Sequence, residues 1–152
     1  MRISTKGTYG LRAMIDLAMH SDSGPVSLKS IAERQDVSEL YLEQIFALLR
    51  KSSLVESKRG VKGGYYLNRE PREISVHEIL ECLEGKLSIV QCLEDDSEAC
   101  PRDQICPTRV LWKRINGAIA RTLDSYTLED LIVEARYREQ NAPDQEGGDI
   151  LS

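Results

Sequence analysis

The segment Arg59-Gly60-Val61-Lys62-Gly63-Gly64 constrains this chain more than any other. Three glycines and two basic residues in six read as a turn rather than the interior of a helix or strand, where each glycine costs about 0.5–1 kcal/mol. On one side lies Leu54-Val55-Glu56-Ser57-Lys58, short and partly alternating. On the other lies Tyr65-Tyr66-Leu67. The pattern predicts two short strands joined by a basic turn. A phosphate-cradling loop is the competing reading of such glycines. Gly-x-x-Gly-Gly lacks the following Lys-Ser/Thr, and no strand-turn-helix surrounds it, so the hairpin is favoured.

What precedes the hairpin is helical. Leu11, Met14, Ile15, Ala18 and Met19 fall at offsets 0, 3, 4, 7 and 8, one face of a helix over Thr5–His20. Ser21-Asp22-Ser23-Gly24-Pro25 breaks it. Ser27 is a good N-cap for a short helix with Leu28, Ile31 and Ala32 inward, and Gln35-Asp36-Val37 forms a tight turn. Ser38 caps a third helix, to about Ser52, with Leu42, Ile45, Phe46 and Leu49 inward. Two helices joined by a short turn after a preceding helix are a helix-turn-helix pattern. With the hairpin, the expected fold is mainly α with a small β-hairpin wing, a winged helix-turn-helix.

In that geometry the third helix would enter a major groove, and Lys58, Arg59 and Lys62 would meet phosphates or a minor groove. Ser38, Glu39, Tyr41, Glu43 and Gln44 are the candidate DNA-facing set on the third helix. Gln can read adenine edges, and Glu can accept from cytosine N4. Glu39 and Glu43 are equally explained as carboxylates favoured near a helix N-terminus.

Charge is uneven. Residues 1–70 carry 11 Lys and Arg against 8 Asp and Glu, while residues 71–152 carry 9 against 17. The net charge of −5 therefore hides a mildly basic front half that is compatible with nucleic acid. A composition of 41% hydrophobic and 30% charged residues is that of a globular chain. No run of 18 apolar residues marks a membrane span, and the N-terminus does not read as a signal peptide. A cytoplasmic setting with reduced thiols is the expectation.

Past a linker at Glu70-Pro71-Arg72-Glu73, Ser75 and Glu78 match a capping box opening a helix that Gly85 ends. Cys82 in that helix reads as a small buried hydrophobe. His20 and His77 lack a ligand partner at i+3 or i+4 and read as cap or surface histidines. Residues 91–106 form an acidic loop bearing Cys92, Cys100 and Cys106, with Asp95, Asp96, Glu98 and Asp103. Three thiols within 15 residues can converge on a soft metal or an iron–sulfur cluster. Redox-active thiols, a zinc site and free surface cysteines stay open on spacing alone. From Pro107 to about Ser125 runs the longest helical pattern, with Val110, Leu111, Ile115, Ala118, Ile119 and Leu123 apolar. The front half offers it little to pack on, so an antiparallel helix from a second chain is expected. Thr127 and Asp130 begin a last short helix, and residues 136–152 read as a disordered tail, rich in Gly, Asp, Gln and Pro from Asn141. No Ser/His/Asp set or isolated carboxylate pair indicates an enzyme.

Three stretches carry a resemblance: Met1-Arg2-Ile3-Ser4-Thr5-Lys6-Gly7-Thr8-Tyr9-Gly10 with Leu11-Arg12-Ala13-Met14, Tyr41-Leu42-Glu43-Gln44, and Arg59-Gly60-Val61-Lys62-Gly63-Gly64-Tyr65. Together with Thr127-Leu128-Glu129-Asp130-Leu131, they make residues 1–135 resemble the bacterial winged-helix regulator family of IscR, NsrR, RirA and CymR. The resemblance implies a homodimeric repressor or activator on a double-stranded DNA operator, with crossing dimerisation helices. It implies base selection by Glu43 and Gln44, and minor-groove entry by Arg59. It also implies that Cys92, Cys100 and Cys106 bind an iron–sulfur cluster, 2Fe–2S favoured over 4Fe–4S.

The sequence departs from the family pattern twice. Arg109 stands where IscR-type members commonly place a histidine ligand, and Thr8 where NsrR-type members recruit an acidic one. The spacing of the first two cysteines looks like RirA-like and Gram-positive IscR-like members. Ser27-Leu28-Lys29-Ser30-Ile31-Ala32 looks like CymR, which lacks this cysteine set and works through a protein partner. The division that follows assigns residues 1–70 to DNA binding and 71–135 to the cluster loop and dimerisation. The alternative is a cluster-free, CymR-like repressor controlled by thiol chemistry or a partner protein. A zinc-binding or protein-interaction module is the alternative outside transcription.

Overall fold

The computed structural model describes residues 2–93 and 104–143. Helix α1 (Thr5–Met19) is followed by α2 (Leu28–Gln35) and α3 (Glu39–Lys51), then strands β1 (Val55–Lys58) and β2 (Gly64–Leu67). Helix α4 (Val76–Glu84), α5 (Arg109–Ser125) and α6 (Leu128–Gln140) complete the order. The fold is a winged helix-turn-helix with three further helices, mainly α as the sequence predicts.

Polar side chains start most of these helices where the sequence places them. Ser27 accepts from the Ser30 amide at 3.2 Å and Ser38 from the Tyr41 amide at 3.1 Å. Ser75 and Glu78 form a reciprocal capping box at α4, and Thr127 and Asp130 form another at α6. Each cap satisfies amides that the first helical turn leaves without a partner. Between α2 and α3, Asp36 adopts a left-handed conformation (φ 52°), which aspartate tolerates and which reverses the chain in few residues.

The aliphatic face of each front helix converges on one core. Met14, Leu17, Ile31, Leu42, Ile45, Phe46, Leu49 and Val55 are fully buried. Ile74, Ile79, Leu83, Leu128 and Ile132 from the back half belong to the same cluster. Burial of one such side chain stabilises by about 1.5–3 kcal/mol. The core is therefore continuous across the linker at residue 70.

Two glycines lie where α1 and α4 approach closely. Gly7 and Gly10 lie on the α1 face that meets α4 and are buried. A Cβ on Gly10 would stand 2.2 Å from Leu83 Cδ1, and one on Gly7 2.3 Å from Glu84 Oε1. Glu84 Oε1 accepts from the amides of Ser4 and Gly7, each at 3.0 Å, so a carboxylate from the end of α4 caps the start of α1. An anion there is favoured by the helix dipole.

An ion pair between the buried Asp16 and the exposed Arg34 holds α2 to α1. Asp16 is 3% exposed and accepts from Arg34 Nε at 3.0 and 3.1 Å, from Arg34 Nη2 at 2.7 Å and from Gln35 Nε2 at 2.9 Å. The hydrogen bond to Asp16 raises the Arg34 pKa above its ordinary value, against the opposing effect of burial. A buried carboxylate so fully partnered is tolerated, and loss of the arginine would strand it.

Helix α5 begins at Arg109, two residues later than Pro107 suggests, with Cys106, Pro107 and Thr108 in the turn before it. It is the longest of the described helices, and none of its residues is fully buried. Helix α6 is longer than the sequence suggests. It continues to Gln140, so 136–140 are helical rather than tail. No glycine or proline interrupts 128–140, and the Glu134–Arg138 pair at 2.7 Å spans one turn of it. His77 is not a plain surface histidine. Its Nδ1 lies 2.7 Å from Asp124 Oδ1 at the end of α5, and its Nε2 lies 3.9 Å from Glu81, at i+4.

Replacement of Gly10 by alanine should lower unfolding free energy by about 1–3 kcal/mol, because Leu83 must move out of a closely packed helix contact. Urea unfolding at equal denaturant slope checks this. An unchanged midpoint would mean that α1 and α4 do not need the close approach.

Candidate nucleic-acid interface and cysteine loop

The wing is set by backbone geometry. β1 and β2 pair antiparallel, with Lys58 opposite Gly64 and Val55 opposite Leu67. The Gly63 amide donates to the Gly60 carbonyl at 2.9 Å, closing a tight turn with Val61 and Lys62 in its middle. Gly60 has φ 120°, which a side chain would strain. Lys58, Arg59 and Lys62 are all exposed, and among the described residues their side chains make no hydrogen bond or ion pair.

The wing is locked to the helix-turn-helix through Tyr65. Its amide and carbonyl exchange hydrogen bonds of 2.8 Å with Val26, just before α2. Its ring meets Phe46 of α3 edge-on, with centroids 4.9 Å apart. Gly64 allows this approach: a Cβ there would lie 2.4 Å from the Val26 carbonyl oxygen. One residue thus fixes the wing relative to both helices.

Helix α3 divides its candidate residues between two tasks. Glu39, Glu43 and Gln44 are exposed, and among the described residues they engage no partner. They offer two carboxylates and an amide to whatever meets the helix. Ser38 uses its oxygen as the N-cap. Tyr41 is half-buried and turned toward α1, where its ring meets Tyr9 edge-on at 6.2 Å and its hydroxyl lies 3.4 Å from Thr5 Oγ1. Leu40, outside the inward apolar spacing, is 68% exposed on the same helix.

The cysteine loop is described in part. Cys92 lies in a 3-10 turn, Gln91–Leu93, and is half-buried. Cys106 is half-buried before α5, with Sγ 3.1 Å from Thr108 Oγ1. Cys100 and the acidic residues 95, 96, 98 and 103 lie outside the described residues. Among the described residues no three metal-ligating side chains come together. Asn116 of α5 ties down the approach to Cys92. It accepts from the Ile89 amide at 3.0 Å and donates to the Ser88 hydroxyl at 3.0 Å. The N-cap residue Thr108 makes no side-chain capping bond at the start of α5, and Cys106 lies three residues before that helix. Cys82 is half-buried against the core, its thiol donating to the Leu48 carbonyl at 3.3 Å.

A family model described as an iron-dependent transcriptional regulator, Rrf2, matches residues 3–134. The chain belongs to the Rrf2 family of transcriptional regulators. It is 50% identical over 131 residues to the HTH-type transcriptional regulator CymR of Bacillus subtilis, spanning 86% of this chain and 89% of that protein. The solved structure of CymR, titled as the global cysteine regulator of B. subtilis, superposes with a TM-score of 0.72 at 48% identity, covering 88% of this chain and 98% of that one. That of T. potens IscR does so with a TM-score of 0.72 at 47% identity, covering 89% and 88%. Family and fold are those of regulators rather than enzymes. Among the described residues no helix is long and apolar enough to cross a membrane.

Alanine at Gly64 should break the Val26–Tyr65 pairing and free the wing from α2. DNA affinity should fall by about tenfold or more with a loss of stability of about 1–3 kcal/mol. Fluorescence anisotropy with a labelled duplex, beside thermal unfolding, measures both; unchanged affinity would detach the wing from binding.

Proposed function

We propose that this Rrf2-family regulator is a cytoplasmic homodimer that binds a roughly palindromic double-stranded operator under control of the thiols Cys92, Cys100 and Cys106. The observation that carries the DNA reading is a rigid surface of unpartnered polar groups. Glu43 and Gln44 on α3, and Lys58, Arg59 and Lys62 on the wing, are exposed and held in one frame by Tyr65. Arg and Lys neutralise phosphates, while Gln and Glu read base edges. Residues 1–70 carry this role.

Residues 71–135 carry dimerisation and sensing. Ile115, Ala118, Ile119, Thr122 and Leu123 form an open apolar groove along α5, and Val110 and Leu111 are exposed. A second α5 packed against this stripe supplies the missing cover. The two recognition helices would then sit about 34 Å apart, one helical turn of DNA.

Three thiolates are a soft donor set that fits an iron–sulfur cluster, 2Fe–2S in preference to 4Fe–4S. When bound, such a cluster supplies a centre that responds to redox state, nitric oxide or iron–sulfur supply. Cys92, Cys100 and Cys106 would hold it, and Asn116 would keep the Cys92 approach seated on α5. For thiol state to change operator affinity, its two forms must hold the recognition helices differently.

A second reading has its own support. The chain is 50% identical to CymR, and Arg109 and Thr8 occupy the two positions where a fourth ligand is expected. In that reading the regulator is cluster-free and answers to thiol chemistry or a protein partner.

Iron and acid-labile sulfide per chain, with a visible spectrum on protein purified without oxygen, separate the two. About two of each per chain, abolished by Cys92→Ala, is expected of the cluster reading. No iron after reconstitution would select the cluster-free one. Arg59→Ala should weaken operator binding and reduce the slope of log K against log salt by about 1. An unchanged slope would remove Arg59 from the phosphate contacts.

A further inference from the structure

The apex of the wing carries an apolar side chain that nothing in the fold explains. Val61 is 106% exposed, so no protein atom covers it. It occupies the first middle position of the Gly60–Gly63 turn, where proline and small polar residues are the local preference. A β-branched residue gains nothing there from local geometry or from the core. A side chain that contradicts the local rule without compensation points to contact with a partner.

The neighbours of Val61 define that partner's chemistry. Arg59 and Lys62 are exposed on either side of it, and Lys58 ends β1 below. Arginine and lysine only donate hydrogen bonds, and valine does neither. The segment Arg59–Gly64 therefore contains no side-chain acceptor. In a minor groove, A·T pairs display only acceptors, adenine N3 and thymine O2. A G·C pair adds the guanine 2-amino donor. The side chains of this wing tip match the first face and offer no acceptor to the second.

We propose that Val61 is a specificity-determining residue that makes the wing reject G·C pairs in the minor groove. The inference rests on the DNA-binding reading above. The flanking bases seat the turn in the groove and donate to N3 and O2. The isopropyl group lies over the groove floor, where a guanine amino group would lose its water and meet a side chain that cannot accept its hydrogen bond.

The test uses the full chain and a duplex that it selects from a random-sequence pool. In the segment protected by the wing, adenine is replaced by 2,6-diaminopurine, which adds the 2-amino group and leaves the major-groove face of adenine unchanged. Wild-type affinity should fall about tenfold, the scale of an unsatisfied donor at one base pair. Val61→Ser supplies a hydroxyl acceptor and alters no internal contact. In that variant the penalty should shrink to within about twofold, with the salt slope unchanged because no charge is lost. Equal penalties in both proteins, or none in the wild type, would overturn the role of Val61 while leaving DNA binding intact. Failure to select or bind any duplex would overturn the DNA-binding reading and this inference with it.

Discussion

The close contact between α1 and α4 is the constraint on which the rest of the molecule hangs. Gly7 and Gly10 remove two side chains from one face of α1, and Leu83 and Glu84 fill the space. The Glu84 carboxylate then satisfies the amides of Ser4 and Gly7 at the open end of α1. Apolar packing and a charge-assisted cap act at the same place, and each requires the other's geometry. A larger residue at Gly10 would displace the Leu83 side chain from the core it shares with Met14 and Leu17, and one at Gly7 would displace the Glu84 carboxylate from its cap.

Helix α1 passes this constraint to the surface proposed to meet DNA. Its Tyr9 packs edge-on against Tyr41 of α3, and its Asp16 holds α2 through Arg34 and Gln35. The wing joins the same frame through Tyr65, which pairs with Val26 and packs on Phe46. Each exposed candidate residue is thus mounted on an element fixed by at least one contact distant in sequence. Preorganisation of this kind limits the entropy lost when a partner binds.

The back half is built on a different balance. The Ser75–Thr127 bridge and the His77–Asp124 pair anchor the end of α5 to the start of α4. Asn116 anchors the loop that leads to Cys92. Yet α5 has no fully buried residue and keeps an apolar stripe in the open. A long helix with many polar anchors and little core of its own suits a segment completed by a second chain. It also suits a sensor, because local stability is low where packing is sparse. Residues 71–152 carry the acidic excess of the chain.

The sequence alone determined the element order and the architecture. Helical periodicity, the Ser27, Ser38 and Ser75 caps and the glycine-rich turn are local signals, and local signals survive without tertiary information. It also supplied the exposed candidates on α3 and the wing, because residues outside the apolar spacing face outward. What only the tertiary structure decided are contacts between residues far apart in the chain. The Glu84 cap on α1 spans 80 residues, and no periodicity announces it. The turning of Tyr41 toward Tyr9, the Asp16–Arg34 pair and the Val26–Tyr65 pairing are of the same kind. The extent of α6 through Gln140 belongs here too: weak propensity in a polar stretch is decided by the core that Leu128 and Ile132 anchor at its start. Propensity and patterning choose the elements, but burial and hydrogen-bond satisfaction choose their partners, and those are properties of the packed chain.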